Sequence, residues 1–151
     1  MKTTLTACLL GLALAATLSG CERRKEEAPP APLAADTSSI QFQKIDTVVG
    51  TGKEAKLGDR VTVHFTGWMY DPKAPGQRGQ EFDSSRQRAP YSFRIGGAAV
   101  YKAWDQGVAG MRVGGKRTLV VPSALGYGKE GAGPIPANAN LVFEIKLVEV
   151  H

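Results

Sequence analysis

Cysteine and histidine are the scarce residues of this chain. The two cysteines, Cys8 and Cys21, both fall near the N-terminus, and the two histidines are His64 and His151. From residue 40 onward there is therefore no disulfide, no thiol nucleophile and no thiolate metal site. Two histidines so far apart cannot make a three-ligand zinc site or a Ser-His-Asp triad without help from distant carboxylates. No metal and no cofactor is expected. A phosphate-loop signature is also missing. The formal charge is +5, but the basic residues form no block beyond the leader. Lys116-Arg117 runs at once into Leu119-Val120-Val121, and Arg86 and Arg88 flank a serine-rich turn. Without a basic stripe beside stacking aromatics, nucleic acid is not an expected partner. A chemistry that needs no nucleophile fits these absences best.

At the other extreme, one stretch is almost purely apolar. Leu5 to Leu18 follows Lys2 and is too short to span hydrocarbon, which takes about 20 residues, so it reads as the hydrophobic region of an export signal. The run ends in Leu18-Ser19-Gly20-Cys21, which resembles the lipobox of bacterial lipoprotein signals. That resemblance implies cleavage after residue 20, lipidation of Cys21 and anchoring to a membrane by acyl chains. Glu22 stands where aspartate would imply retention at the inner membrane, so the implied address is the outer membrane, facing the periplasm or the surface. Residues 21–39 then carry mixed charge and Ala28-Pro29-Pro30-Ala31-Pro32, a composition that buries no apolar area. They are expected to form a disordered tether reaching on the order of 50 Å. It has no heptads, so a monomer is expected.

Residues 40–151 read as one domain. Val61, Val63 and Phe65 alternate with Thr62, His64 and Thr66, as a strand with one buried face does. Weaker strands are expected at Ile40–Val49, Tyr91–Ile95 and Lys116–Val121. The clearest is the last, with Leu141, Phe143, Ile145 and Leu147 facing one way and Val142, Glu144, Lys146 and Val148 the other, the second face solvated. Val100, Trp104 and Val108 recur at i, i+4 and i+8 and predict one helix, ended by Gly110 and Gly114-Gly115. Several antiparallel strands and one short helix imply an α+β layer, a curled antiparallel sheet wrapped around the helix. Two stretches rich in glycine and proline, 71–80 and 126–140, are expected to be irregular loops able to carry binding residues.

Five motifs carry a resemblance to a known family: Val63-His64-Phe65-Thr66-Gly67; Phe82-Asp83-Ser84-Ser85; Val100 through Trp104 and Gly107 with Met111, Val113 and Gly114; Ile135-Pro136; and Leu141-Val142-Phe143. In this order and spacing the domain resembles the FKBP-type peptidyl-prolyl cis-trans isomerases, over about residues 40–150. The resemblance implies that Trp104 is the indole floor on which a proline ring lies, and that Phe65, Phe82, Tyr91 and Phe143 are its aromatic walls. Val100 and Tyr101 would flank the floor, with the Tyr101 backbone N–H as a donor. Asp83 would be the acidic group near the twisting carbonyl and Tyr127 the loop hydroxyl that bonds a ligand. The implied partners are polypeptides containing Xaa-Pro bonds, exported or envelope proteins among them, and macrolide inhibitors. A proline-peptide-binding chaperone with incidental isomerase activity is the alternative.

The chain departs from the family pattern in four places. Phe65 stands where tyrosine is usual, which removes a hydroxyl bonded to the Asp83 carboxylate. Tyr101 stands where isoleucine or valine is usual and its ring is expected to narrow the pocket mouth. The loop after Tyr127 is one residue short, with Ala132 where an aromatic or histidine is common, and the segment 71–80 is longer than in minimal members. The chemistry suits such a site: rotation before proline breaks amide resonance, and the cis form lies only about 0.5–1 kcal/mol above trans. A catalyst needs only to favour the twisted amide. An apolar cavity does so by desolvating the more dipolar planar form, and placed polar groups do so by complementing the twisted one.

Overall fold

The computed structural model describes residue 37 and residues 39–151. The lipidation site Cys21, the export leader and nearly all of the expected tether lie outside the described residues. Among the described residues, six antiparallel strands form one sheet: β1 (Gln43–Val48), β2 (Arg60–Tyr70), β3 (Arg78–Ser84), β4 (Tyr91–Arg94), β5 (Lys116–Val121) and β6 (Leu141–Val150), with one helix, α1 (Lys102–Val108). The strand order is β1-β5-β6-β2-β3, and β4 also pairs with β2. The expected α+β class is the one observed.

The eleven-residue β2 organises the sheet. One edge pairs with β6 from Val61↔Val150 to Met69↔Leu141. Its other edge is shared, with β4 taking Arg60 to Val63 and β3 taking Thr66 to Tyr70. Phe65 falls in the gap between these two partners. There the chain leaves β3, and the Ser85 N–H donates to the Phe65 carbonyl at 2.9 Å. Six residues later it re-enters as β4, so the segment 85–90 is hung beside Phe65.

Alternation places Val61 and Val63 of β2, Leu119 and Val121 of β5, and Leu141, Phe143, Ile145 and Leu147 of β6 on one buried face. The helix lies on that face with Ala103, Trp104 and Val108 buried. It approaches β5 so closely that a Cβ on Gly107 would sit 2.3 Å from Leu119 Cδ1. Arg117 secures this contact. Its guanidinium is almost wholly buried, donates to the Gly107 and Ala109 carbonyls at 2.7 and 3.2 Å, and grips both Asp46 carboxylate oxygens at 2.6 and 2.9 Å. One side chain thus satisfies carbonyls at the helix C-terminus and ties edge strand β1 to the same point.

Three expectations need correction. Residues 78–80 belong to β3 and not to a loop: the free edge of β2 supplies backbone partners that their weak side-chain pattern did not advertise. The helix starts at Lys102, so Val100 and Tyr101 precede it, while its end at Val108, just before Gly110, is where it was expected. Tyr101 has ψ 146°, an extended conformation that cannot continue into a helical turn. Finally, the outer face of β6 is not solvated throughout, because Val142 packs with Val120, Tyr70, Trp68 and Ile40 in a second small cluster. Gly126, Gly128 and Gly131 have the spacing of a dinucleotide fingerprint, yet they follow a 3-10 turn at Ser123–Leu125 and open no helix, which removes the context that motif requires.

The Arg117 anchor generates a stability prediction. Arg117→Ala, which strips both carbonyls and the carboxylate of their partner, is expected to lower unfolding stability by about 3 kcal/mol, read as the urea midpoint. Asp46 is more exposed, and the Arg117 hydrogen bond holds its carboxyl below the usual value despite opposing burial. A depressed folded pKa stabilises above the unfolded value, about 3.9, and that contribution is lost as pH falls through the folded one. The stability gap between wild type and Asp46→Asn should therefore be present at neutral pH and close as the pH drops below about 4.

Candidate functional site

The first turn of α1 places Trp104 under a cavity of about 700 Å³. Its indole is nearly fully buried among neighbouring aromatic rings. Phe65 lies 4.9 Å away at 67°, Phe143 at 5.5 Å and 88°, and Tyr91 at 6.0 Å and 79°. Such edge-to-face contacts match the positive ring edge of one residue to the negative face of the next. Phe82 closes the far wall by meeting Phe143 edge-on at 5.7 Å. Trp104 Nε1 is the one buried side-chain polar atom without a partner among the described residues. It leaves one unpaired donor on the side chain that floors the cavity.

Every pocket residue expected from sequence lines this cavity. Phe65 comes from β2, Phe82 and Asp83 from β3, Tyr91 from β4 and Phe143 from β6; Val100 and Tyr101 precede the helix, and Tyr127 comes from the loop after β5. Strand parity brings Phe65 and Phe143 to the same face, and the split edge of β2 brings Asp83 and Tyr91 to either side of Phe65.

The polar part of the rim is a compact turn. The Asp83 carboxylate accepts the Ser84 N–H at 2.8 Å and pairs with the Arg88 guanidinium, which also donates to the Ser84 carbonyl through Nε at 3.0 Å. Both charges are largely exposed, so the pair contributes little to stability. Its effect is positional, since Arg88 and the Ser84 N–H fix the carboxylate at the rim. Ser85 fixes the turn to the wall. Its Oγ accepts the Phe65 N–H at 2.8 Å and lies 3.1 Å from His64 Nδ1, while its own N–H returns a bond to Phe65. Opposite this turn, Tyr127 packs on Tyr101 at 4.3 Å between centroids and meets Phe82 edge-on at 6.5 Å. Burial first, then the neighbouring Tyr101 hydroxyl and the Asp83 charge, push the Tyr127 hydroxyl above the ordinary tyrosine range.

Sequence reasoning assigned no site role to Ser85, Ala89, Ala98, Ala99 or Phe93. The first four line the cavity, and Phe93 backs the indole at 5.7 Å. The alanines carry no chemical signal, whereas Phe93 could have been found from its alternation with Tyr91. Gly67 is a further hidden contributor: a Cβ there would fall 2.6 Å from Phe82 Cζ and 2.9 Å from Phe143 Cε1. Its missing side chain is what lets these two wall rings meet.

With this geometry in hand, the comparisons with known proteins are unambiguous. Residues 51–148 match the family model described as FKBP-type peptidyl-prolyl cis-trans isomerase. The chain is 45% identical over 106 residues to FK506-binding protein 1 of Aspergillus oryzae, covering 68% of this chain and 91% of that protein. It is equally 45% identical over 108 residues to an FK506-binding protein of Neisseria meningitidis serogroup B, covering 70% and 93%. Among solved structures it resembles AtFKBP13, with a TM-score of 0.64 and 37% identity over 73% of this chain and 93% of that one.

Gly67→Ala is expected to force Phe82 and Phe143 apart. An overpacking loss of about 1–3 kcal/mol in unfolding free energy should follow, with displaced ring resonances for both phenylalanines in a nuclear magnetic resonance spectrum.

Proposed function

This chain belongs to the FKBP-type peptidyl-prolyl cis-trans isomerase family, and from that premise we propose that the aromatic cavity binds the proline ring of an Xaa-Pro segment and turns the bond before it. The observation that carries the reading is the convergence of Trp104, Phe65, Phe82, Tyr91 and Phe143 on one cavity, with a single acidic side chain, Asp83, at its rim. The proline ring lies on Trp104 and the preceding carbonyl leaves water as it enters the box. Loss of hydration penalises the planar, more dipolar amide against a barrier of about 18–20 kcal/mol. Asp83, held by Ser84 and Arg88, presents a fixed charge to the rotating carbonyl carbon, and the Tyr101 N–H and Tyr127 hydroxyl serve as donors to the ligand. No bond is made to the protein. The same cavity is proposed to take FK506, the compound in the names of the two relatives.

The test is refolding of a model protein limited by a trans-to-cis prolyl step, which takes tens to hundreds of seconds uncatalysed. Sub-stoichiometric full-length chain should accelerate it, and Asp83→Ala and Phe65→Ala should each reduce the acceleration. A folded chain that produces no acceleration would remove the reading for that client.

We also propose that the domain works from a membrane anchor, lipidated at Cys21 and sorted by Glu22 to the outer membrane, where its clients are exported or envelope proteins. What supports this is the apolar run ending in Leu18-Ser19-Gly20-Cys21 and the proline-rich segment after it. Expressed in a bacterium that processes lipoproteins, the chain should partition with membranes and carry acyl mass on Cys21. Cys21→Ala should move it to the soluble fraction, and an unmodified wild-type chain in that fraction would contradict the proposal.

A further inference from the structure

Tyr101 and Tyr127 are the closest ring pair among the described residues, 4.3 Å between centroids at 46°. They come from separate segments, one fixed by the start of α1 and the other by the loop that follows β5, so their contact bridges the rim of the cavity. Tyr127 is braced from a second direction by the edge of Phe82. Away from the polar turn of Asp83 and Arg88, the remaining lining includes Ala89, Ala98 and Ala99, whose methyl groups obstruct little. The mouth therefore has one aromatic sector closed by a ring contact and another left open by small side chains. The Tyr127 hydroxyl is pushed above its ordinary range first by burial and then by the Tyr101 hydroxyl beside it, which agrees with the closeness of the two side chains.

We propose that Tyr101 is the selectivity residue of the mouth: closed on Tyr127, its ring admits a narrow, extended Xaa-Pro segment and disfavours a wide macrocycle, which must part the two rings to seat itself. This rests on the isomerase reading and adds the class of ligand the site favours. An extended peptide needs only one lane of the rim. A macrocycle spans it and forfeits the contact, so it binds more weakly by the worth of one aromatic pair, about two- to tenfold. Tyr101 acts here through Tyr127 and the shape of the opening, as a positioning residue whose backbone N–H is unaltered by substitution.

The experiment compares full-length wild type, Tyr101→Ile and Tyr101→Phe, each first shown to be folded by thermal unfolding. Calorimetry gives the Kd for FK506, and a proline tetrapeptide gives kcat/KM. Tyr101→Ile should tighten FK506 binding and raise the ratio of FK506 affinity to peptide kcat/KM by about two- to tenfold over wild type, whatever common factor the substitution imposes on both ligands. Tyr101→Phe, which keeps the ring, should retain wild-type discrimination. FK506 affinity unchanged in Tyr101→Ile, or peptide and macrocycle shifted by the same factor, would overturn the proposal. Relaxed discrimination in Tyr101→Phe would also overturn it, by placing the effect in the hydroxyl. A wild-type chain with no isomerase activity and no FK506 binding would instead be a failure of the underlying reading, and is recognisable as such before any variant is compared.

Discussion

A seven-residue helix cannot hold its shape in water by its own hydrogen bonds, yet the floor of the pocket is mounted on one. The rest of the domain is arranged around that constraint. Gly107 lets the helix settle onto Leu119, and Arg117 closes its C-terminal carbonyls from within β5. Its first turn is tied to the preceding segment by the Asp105 carboxylate, which accepts the Gly96 N–H at 2.7 Å. Each restraint comes from the sheet or its connections, so Trp104 is placed by tertiary structure and not by helical propensity.

The walls depend on the divided edge of β2. A continuous partner along that edge would have left no room for the 85–90 segment, and Asp83 and Tyr91 would not flank Phe65. Ser85 makes the division exact by serving the Phe65 backbone in both directions. The polar turn that presents Asp83 is thus locked to the ring beside it. Although the Asp83–Arg88 pair is too exposed to hold the fold together, it orients the carboxylate at the rim of the cavity.

Much of this was legible in sequence where side-chain period and motif spacing agreed. The alternations at Val61–Phe65 and Leu141–Leu147 are strands with the inner face as read, and the aromatic residues named for the pocket meet in one cavity. What escaped notice has physical reasons. β3 is stabilised by backbone pairing to β2, to which Arg78, Gly79 and Gln80 contribute no apolar pattern. The helix was drawn two residues too early because Val100 shares its apolar spacing while the backbone at Tyr101 is extended. The outer face of Val142 looked solvated because its cover comes from distant Ile40, Trp68 and Tyr70. The Tyr101–Tyr127 contact likewise joins segments whose proximity only the fold decides.

The central claim is that turnover takes place on the Trp104 indole, and the chain carries its own control in Trp68, whose ring lies under Arg78 in the cluster on the opposite face of the sheet. Exchange spectroscopy of an Xaa-Pro peptide with sub-stoichiometric protein reads cis–trans interconversion directly, while the two indole N–H resonances report where the peptide sits. The account predicts exchange cross-peaks absent from the free peptide, together with a shift of the Trp104 indole and none of Trp68. Exchange with an unmoved Trp104 resonance, or a shifted Trp104 with no exchange, would contradict it.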